Sequence, residues 1–359
     1  MIDLSDRTNC FYWQTDRNLT PEDYAQIFLK RHEISNEKLI KTIKEGLVTL
    51  GEITSIIIDE PDENVVKGNV NIVRKVKIND EPYVVRMHPS GVKNGYFYSE
   101  KLVLDLAKQK GIPVPTVIEV HEARNEEDMD FMLMTLSEGI TMDVLLTKDR
   151  GPEERLLIDC GRKMAQIHQI KVNGFGPFDN QQAKKGILIG LHANYHDFVH
   201  AGLDENIDRL IKFEIIDSLQ ADSFRKLFSE SNYEPTDGSR IVHNDFADWN
   251  LLTDTKQITA VLDWDESHAG DPIADLACWS TFFNIERMTK FMEGYKSITS
   301  LPSDYEKRFH FYRLRYTISK MALRIKRFQV DKSPTLAEKI IVGKKALKEE
   351  LQYFGIQEK

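Results

Sequence analysis

The spacing of hydrophobic positions changes along the chain, and each change predicts an element. Residues 20–48 predict two amphipathic helices: Pro21 suits a first helical position behind Thr20, and Tyr24, Ile27 and Phe28 share a face. Ser35 is placed to cap the second helix, in which Leu39, Ile40, Ile43 and Leu47 keep a helical period. From Gly51 the period shortens. The runs "EITSIIID", "VNIVRKVKI" and "EPYVVRMH", the last two joined through "NDE", predict an antiparallel meander. A helix over "YSEKLVLDLAKQK" is expected to stop at Gly111, and "PTVIEVHEA" with "DFMLMTL" completes a five-stranded sheet. Beyond "SEG" the pattern turns helical, with "EERLLIDCGRKMAQIHQI" the clearest amphipathic stretch. Later strand signals surround only residues 241–262.

These elements divide the chain into an N-terminal helical extension over residues 1–48, expected to pack on the lobe that follows, a sheet-rich N-lobe over 49–136 and a mainly helical C-lobe over 137–359. The class is α+β, with a hinge near 134–139. The segment from Gly174 to Gly238, opening "GFGPFDNQQAKKG", reads as an insertion over the larger lobe.

Composition narrows the picture modestly. A length of 359 residues with 41% hydrophobic content supports two or three packed units. Cys10, Cys160 and Cys278 are odd in number and form no CxxC, which argues against a disulfide framework or a zinc site and favours a reducing compartment. The start "MIDLSDRTNC" has no basic run followed by an apolar block, and no apolar run nears the roughly 18 residues of a membrane span. A cytoplasmic protein without a membrane partner is expected. The formal charge of −9 argues against nucleic acid as the main partner. It suits a cationic small molecule, though such a balance is ordinary for soluble chains.

The chemistry concentrates in "IVHNDFADWNLL", residues 241–252, where His243, Asp245 and Asn250 stand at fixed spacing between apolar runs. Alone, such residues also make ordinary polar turns. The following "LLTDTKQITAVLDWDE" predicts a β-hairpin that returns Asp263 to the end holding Asn250, beside Asp245. Three converging oxygen-bearing side chains suit magnesium-assisted phosphoryl transfer, because Mg²⁺ takes one or two protein oxygens and fills its shell with phosphate oxygens and water. Asn250 and Asp263 would hold the metal, Asp245 would accept a proton from the attacking hydroxyl, and His243 would brace the loop. Only six residues separate Asp263 from Gly270, too few for the peptide-docking segment of a protein kinase.

"HNDFADWNLL" together with "ITAVLDWDESHAGDPIADLA" resembles the aminoglycoside phosphotransferase family, small-molecule kinases of two-lobed, protein-kinase-like fold. The resemblance is specific over residues 241–277 and weaker over about 50–180; "GFGPF" and "FMLMTLSEGITMDVLL" are most similar to its hygromycin B phosphotransferase branch. It implies ATP or GTP as donor, Mg²⁺ as cofactor, Asp245 as the catalytic aspartate and Asn250 and Asp263 as metal ligands. Gly270, Asp271 and Asp275 match a structural GDxxxDLA element. Glu100 matches the acidic partner of a phosphate-binding cation, a place filled by Arg86 where lysine is usual. The nucleotide base is expected on the backbone of Met134, Thr135 and Leu136. Phosphate cover, lacking a GxGxxG, would fall to Gly68, Asn69 or Asn71.

The leading expectation is phosphorylation of a hydroxyl on a small cationic molecule such as an aminoglycoside, with Asp265, Glu266 and His268 placed to meet it. A housekeeping kinase for choline, a sugar amine or a homoserine-like acceptor is the nearest alternative. A nucleotide-binding module without catalysis is the other.

Overall fold

The computed structural model describes residues 2–13, 20–30, 34–59, 71–93, 95–125, 127–231, 233–235 and 237–357. Gly68 and Asn69 lie outside the described residues, as do the side chains of Tyr24 and Phe28.

Five antiparallel strands build the N-lobe, in the spatial order Ile56–Ile58, Ile72–Ile78, Glu81–Met87, Phe131–Thr135 and Val117–His121. The central hairpin turns through Asn79 and Asp80, both at positive φ, the left-handed pair a two-residue turn requires. One sheet face is covered by the helix Asn36–Gly46, where Ser35 Oγ accepts the Lys38 N–H and Leu39 and Ile43 are fully buried with Ile72, Val76, Val85 and Leu133. Helix Phe97–Gln109 covers the other face and ends before Gly111, at φ +76°. Helix Pro21–Lys30 touches both lobes: Ile27 packs with Leu4 and Val92, and the helix meets the long C-lobe helix Tyr305–Phe328.

Helix Tyr305–Phe328 runs through the C-lobe and packs against Pro272–Ser280, Leu203–Lys212 and Pro334–Tyr353. Helices Glu153–Ile167 and Ile285–Lys296 cross so closely that a Cβ on Gly161 would stand 1.9 Å from the Phe291 carbonyl oxygen, and one on Gly294 1.9 Å from that of Ile158. Glycine is required at both positions.

The strand content of the C-lobe exceeds the pattern-based expectation. Phe175–Phe178 is a central strand of a four-stranded sheet, between Gly190–His192 and His268–Gly270, with Arg240–Val242 beyond. The "GFGPF" run is therefore sheet, not an insertion laid over the lobe. Gly174 and Gly176 adopt positive φ, and all four strand residues are buried, so no two-residue alternation marks the strand. Ile140–Thr141 adds a third strand to the hairpin of Leu251–Thr253 and Ile258–Val261. Among the described residues no helix is long and apolar enough to cross a membrane.

Candidate active site

The hairpin carries its polar residues to one end. Leu251 pairs with Val261, and the Leu262 N–H donates to the Asn250 carbonyl at 2.8 Å, so Asn250 and Asp263 emerge side by side. Asn250 Nδ2 donates to both the carbonyl and Oδ2 of Asp245, each at 2.9 Å, leaving its amide oxygen turned away from that carboxylate. Asp263 sits at φ +61° and Asn244 at +69°, in the left-handed region that Asp and Asn tolerate better than other non-glycine residues.

The support beneath the loop is a closed hydrogen-bond network. Asp275, on the helix Pro272–Ser280, accepts the His243 N–H at 2.7 Å and the Asn244 N–H at 2.9 Å. His168 Nε2 lies 3.1 Å from the same carboxylate, and its Nδ1 is 2.8 Å from the Tyr295 hydroxyl. Burial works to raise the Asp275 pKa, but the His168 hydrogen bond and the loop amides outweigh it and hold the group below its usual range. His243 Nε2 is 3.1 Å from the Leu262 carbonyl, and its Nδ1 accepts the Asp245 N–H at 3.3 Å. Those contacts require the neutral Nε2–H tautomer, and burial pushes the pKa down to about 4. Asp271 caps the same helix through the Ile273 N–H at 2.9 Å and is bound by Arg308 at 2.8 Å and Tyr312 at 3.1 Å.

The cleft face is different. Arg86, on the strand Glu81–Met87, is 4% exposed and meets three carboxylates at once. It pairs with Glu100, lies 3.0 Å from Asp263 Oδ1 and 2.9 Å from Asp265 Oδ2. Asn71 adds to this shell when its oxygen faces Arg86 Nη2 at 2.6 Å and its nitrogen faces His88 Nδ1 at 3.0 Å. Burial raises the Asp263 pKa well above the usual value, and the charges of Asp265, Asp245 and Glu100 add to that against the pull of Arg86. For Asp265 the balance reverses: Arg86 and Arg7 overcome burial and hold it low. Asp245 is partly buried, and burial lifts its pKa to about 6 despite the opposing charge of Lys320. Lys320 is itself 3% exposed, lies 3.5 Å from the Phe282 ring centroid and is lowered to about 8 by burial.

Among the described residues no cluster of three or more His, Cys, Asp or Glu could hold a metal. Magnesium does not need one. Asp263 keeps 41% of its side chain exposed while carrying excess local negative charge, and Asn250 presents a free-standing amide oxygen, a hard-oxygen pair that fits the ion.

Several expected contacts sit elsewhere. Asp265, Glu266 and His268 are all buried, at 7%, 7% and 2% exposure, so they do not form an open acceptor surface. Asp265 is drawn in by Arg86 and the Tyr96 hydroxyl, and His268 is enclosed within its sheet against Phe198. The Thr135 N–H is taken by the Thr116 carbonyl at 2.9 Å and its hydroxyl by the Thr116 N–H, while Met134 is buried and Leu136 reaches the surface. Asn71, expected over the phosphates, lies beside Arg86. Residues outside the sequence-based candidates join the site: Tyr96 near Arg86, His168 and Tyr295 below the loop, and Trp249, 43% exposed and edge-on to Phe282 at 5.4 Å. Only Trp249, an aromatic inside the polar motif, could have been flagged in advance.

Comparison with known proteins agrees with this geometry. Hygromycin-B 4-O-kinase of Escherichia coli is 24% identical over 203 residues, a match spanning 55% of this chain and 57% of that relative. The crystal structure of a thermostable mutant of aminoglycoside phosphotransferase APH(4)-Ia, in ternary complex with AMP-PNP and hygromycin B, superposes with a TM-score of 0.62 at 19% identity, covering 90% of this chain and all of that one. A Thermobifida fusca protein described as a fructosamine-3-kinase reaches 0.56 at 16% identity over 86% of this chain and 98% of its own. The two lobes therefore form the kinase-like fold, with the candidate site in the cleft between them. The model of the phosphotransferase enzyme family matches residues 65–311, which include every element of that site from Arg86 to Asp275, and the chain belongs to this family.

Proposed function

We propose that the chain is a Mg²⁺-dependent O-phosphotransferase that moves the γ-phosphate of ATP or GTP to a hydroxyl of a small cationic acceptor, with aminoglycosides the leading class. The observation that carries this reading is the convergence of Asp245, Asn250 and Asp263 on the cleft side of the Arg86–Glu100 pair.

Asp245 accepts the hydroxyl proton of the acceptor as its oxygen attacks phosphorus, and a pKa near 6 makes it a stronger base than an ordinary aspartate while leaving it ionised at neutral pH. Asn250 fixes the orientation of that carboxylate through its two hydrogen bonds. Asn250 and Asp263 would hold the magnesium, which when bound neutralises charge on the phosphate oxygens. Arg86, beside Glu100, Asp263 and Asp265, would offer its planar fork to the phosphates. The excess of carboxylates over cations in the cleft supports a cationic acceptor, and the exposed Trp249 beside Phe282 offers its ring a stacking face. The related hygromycin-B 4-O-kinase supports an aminoglycoside.

A metabolite kinase would use the same residues, and the Thermobifida fusca neighbour is the reason to test it, since one fold serves many acceptors. Purified protein is assayed for nucleotide consumption with ATP and GTP in parallel against aminoglycosides, sugar amines, choline and homoserine. Turnover confined to aminoglycosides, with resistance conferred on a sensitive host, is the expected result. Turnover only on a metabolite moves the assignment to the second reading, and Mg²⁺-dependent nucleotide binding without any turnover removes catalysis.

A further inference from the structure

Residues 2–13 precede the family match and tie the two lobes together. Ile2 and Asp3 pair in parallel with Val92 and Lys93 on the N-lobe. Phe11 is buried in the C-lobe, stacked on Phe198 at 5.1 Å and against Tyr316 at 4.9 Å. Arg7 lies at the crossing, 7% exposed, with Nη1 donating to the main-chain carbonyl of Asp265 at 2.7 Å and its guanidinium 3.9 Å from the Tyr96 ring centroid.

That carbonyl belongs to the residue whose carboxylate receives Arg86 at 2.9 Å and the Tyr96 hydroxyl at 3.0 Å. Two residues earlier stands Asp263, at positive φ. The loop is thus gripped from the cleft by Arg86 and from behind by Arg7. Among the described residues, Arg7 Nε and Nη2 are buried without a hydrogen-bond partner. Two unmet donors make this a poor stabilising contact, and an apolar side chain would fill the place at lower cost. What the guanidinium uniquely supplies is a fixed donor on one carbonyl and a flat face on one ring.

We propose that Arg7 is a positioning residue for the magnesium-binding loop: the N-terminal strap sets the carboxylate of Asp263 against Arg86 and couples that setting to the separation of the lobes. This rests on the reading of Asp263 as a metal ligand. It is tested on the full chain, comparing wild type with Arg7→Met and Arg7→Lys. Hydrogen exchange is followed at residues 262–267, and AMP-PNP is titrated with and without Mg²⁺. Arg7→Met is expected to speed exchange of that loop by about ten-fold, with the rest of the C-lobe unchanged. The gain in AMP-PNP affinity brought by Mg²⁺ falls by about ten-fold and metal-free affinity stays within about two-fold. Arg7→Lys, which keeps a cationic donor, recovers all but about three-fold of both effects. Unchanged loop exchange and unchanged Mg²⁺ dependence in Arg7→Met overturn the proposal. If Arg7→Met loosens the whole chain, Arg7→Lys decides: an effect confined to residues 262–267 supports positioning, and chain-wide loosening overturns it. Absence of AMP-PNP binding by wild type refutes the functional reading instead, and the exchange comparison still decides whether Arg7 holds the loop.

Discussion

The two sides of the loop around Asp245 are built on opposite terms. Below it, Asp275 receives two backbone amides and His168, which Tyr295 completes, and the charge is more comfortable there than in water. On the cleft side, Glu100, Asp263 and Asp265 share Arg86 while Asp245 adds a further negative charge, and Asp263 is held at a raised pKa. A satisfied buried network rigidifies; an unsatisfied one in a cleft awaits a ligand. The proposed function assigns the geometry to the first half and the binding to the second.

The sharpest test removes the proposed base. Asp245→Ala lowers kcat by about 1,000-fold or more, close to 4 kcal/mol, while nucleotide affinity measured by titration stays within about two-fold. Retained turnover would take Asp245 out of the mechanism.

Removing the support has a structural cost. Asp275→Ala strands the His243 and Asn244 amides and is expected to cost about 3 kcal/mol in urea unfolding, with activity falling in parallel. A loss of activity at full stability would show that Asp275 acts in the cleft rather than beneath it.

The pH dependence separates the two sides again. Because the proposed base, Asp245, would work ionised and its pKa is about 6, kcat/KM is expected to rise with pH through about 6 and to fall about ten-fold per unit below it. Stability responds through His243 and His268, whose folded pKa values near 4 lie below the unfolded 6.5. Their contribution is fully present above pH 6.5 and is lost progressively as pH falls towards 4. A rate profile flat between pH 5 and 7 would contradict the assignment of Asp245.

The smallest effect is the most diagnostic of the contrast. Asp263→Asn removes a carboxylate that the metal-free cleft disfavours, so thermal stability without Mg²⁺ should rise, by only about 0.5 kcal/mol because the side chain is 41% exposed and screened. The same change should abolish the Mg²⁺ contribution to nucleotide affinity. Destabilisation on this substitution would mean that Asp263 serves the fold.

Legibility followed the range of the contacts. The hairpin that brings Asn250 to Asp263 is local, so its turn and apolar runs could be read directly. The helix cap at Ser35 and the turn at Asn79 and Asp80 were legible for the same reason. The strand Phe175–Phe178 was not, because it pairs with His268–Gly270 far along the chain and carries Gly176 and Pro177 between two buried phenylalanines in place of an alternating pattern. Asp265 and His268 read as residues open to an acceptor because one sequence cannot show that Arg86 and Phe198 will fold over them.

The sequence by itself determined the chemistry of the cleft, since residue type and short spacing decide which oxygens a hairpin can bring together. Tertiary structure alone decided how those residues are held: His168 under the loop, Asp265 turned in to Arg86, and Arg7 reaching from the first residues to the loop that follows Asp263. Those contacts join segments with no local signal for one another, and only packing of the lobes brings them within hydrogen-bond distance.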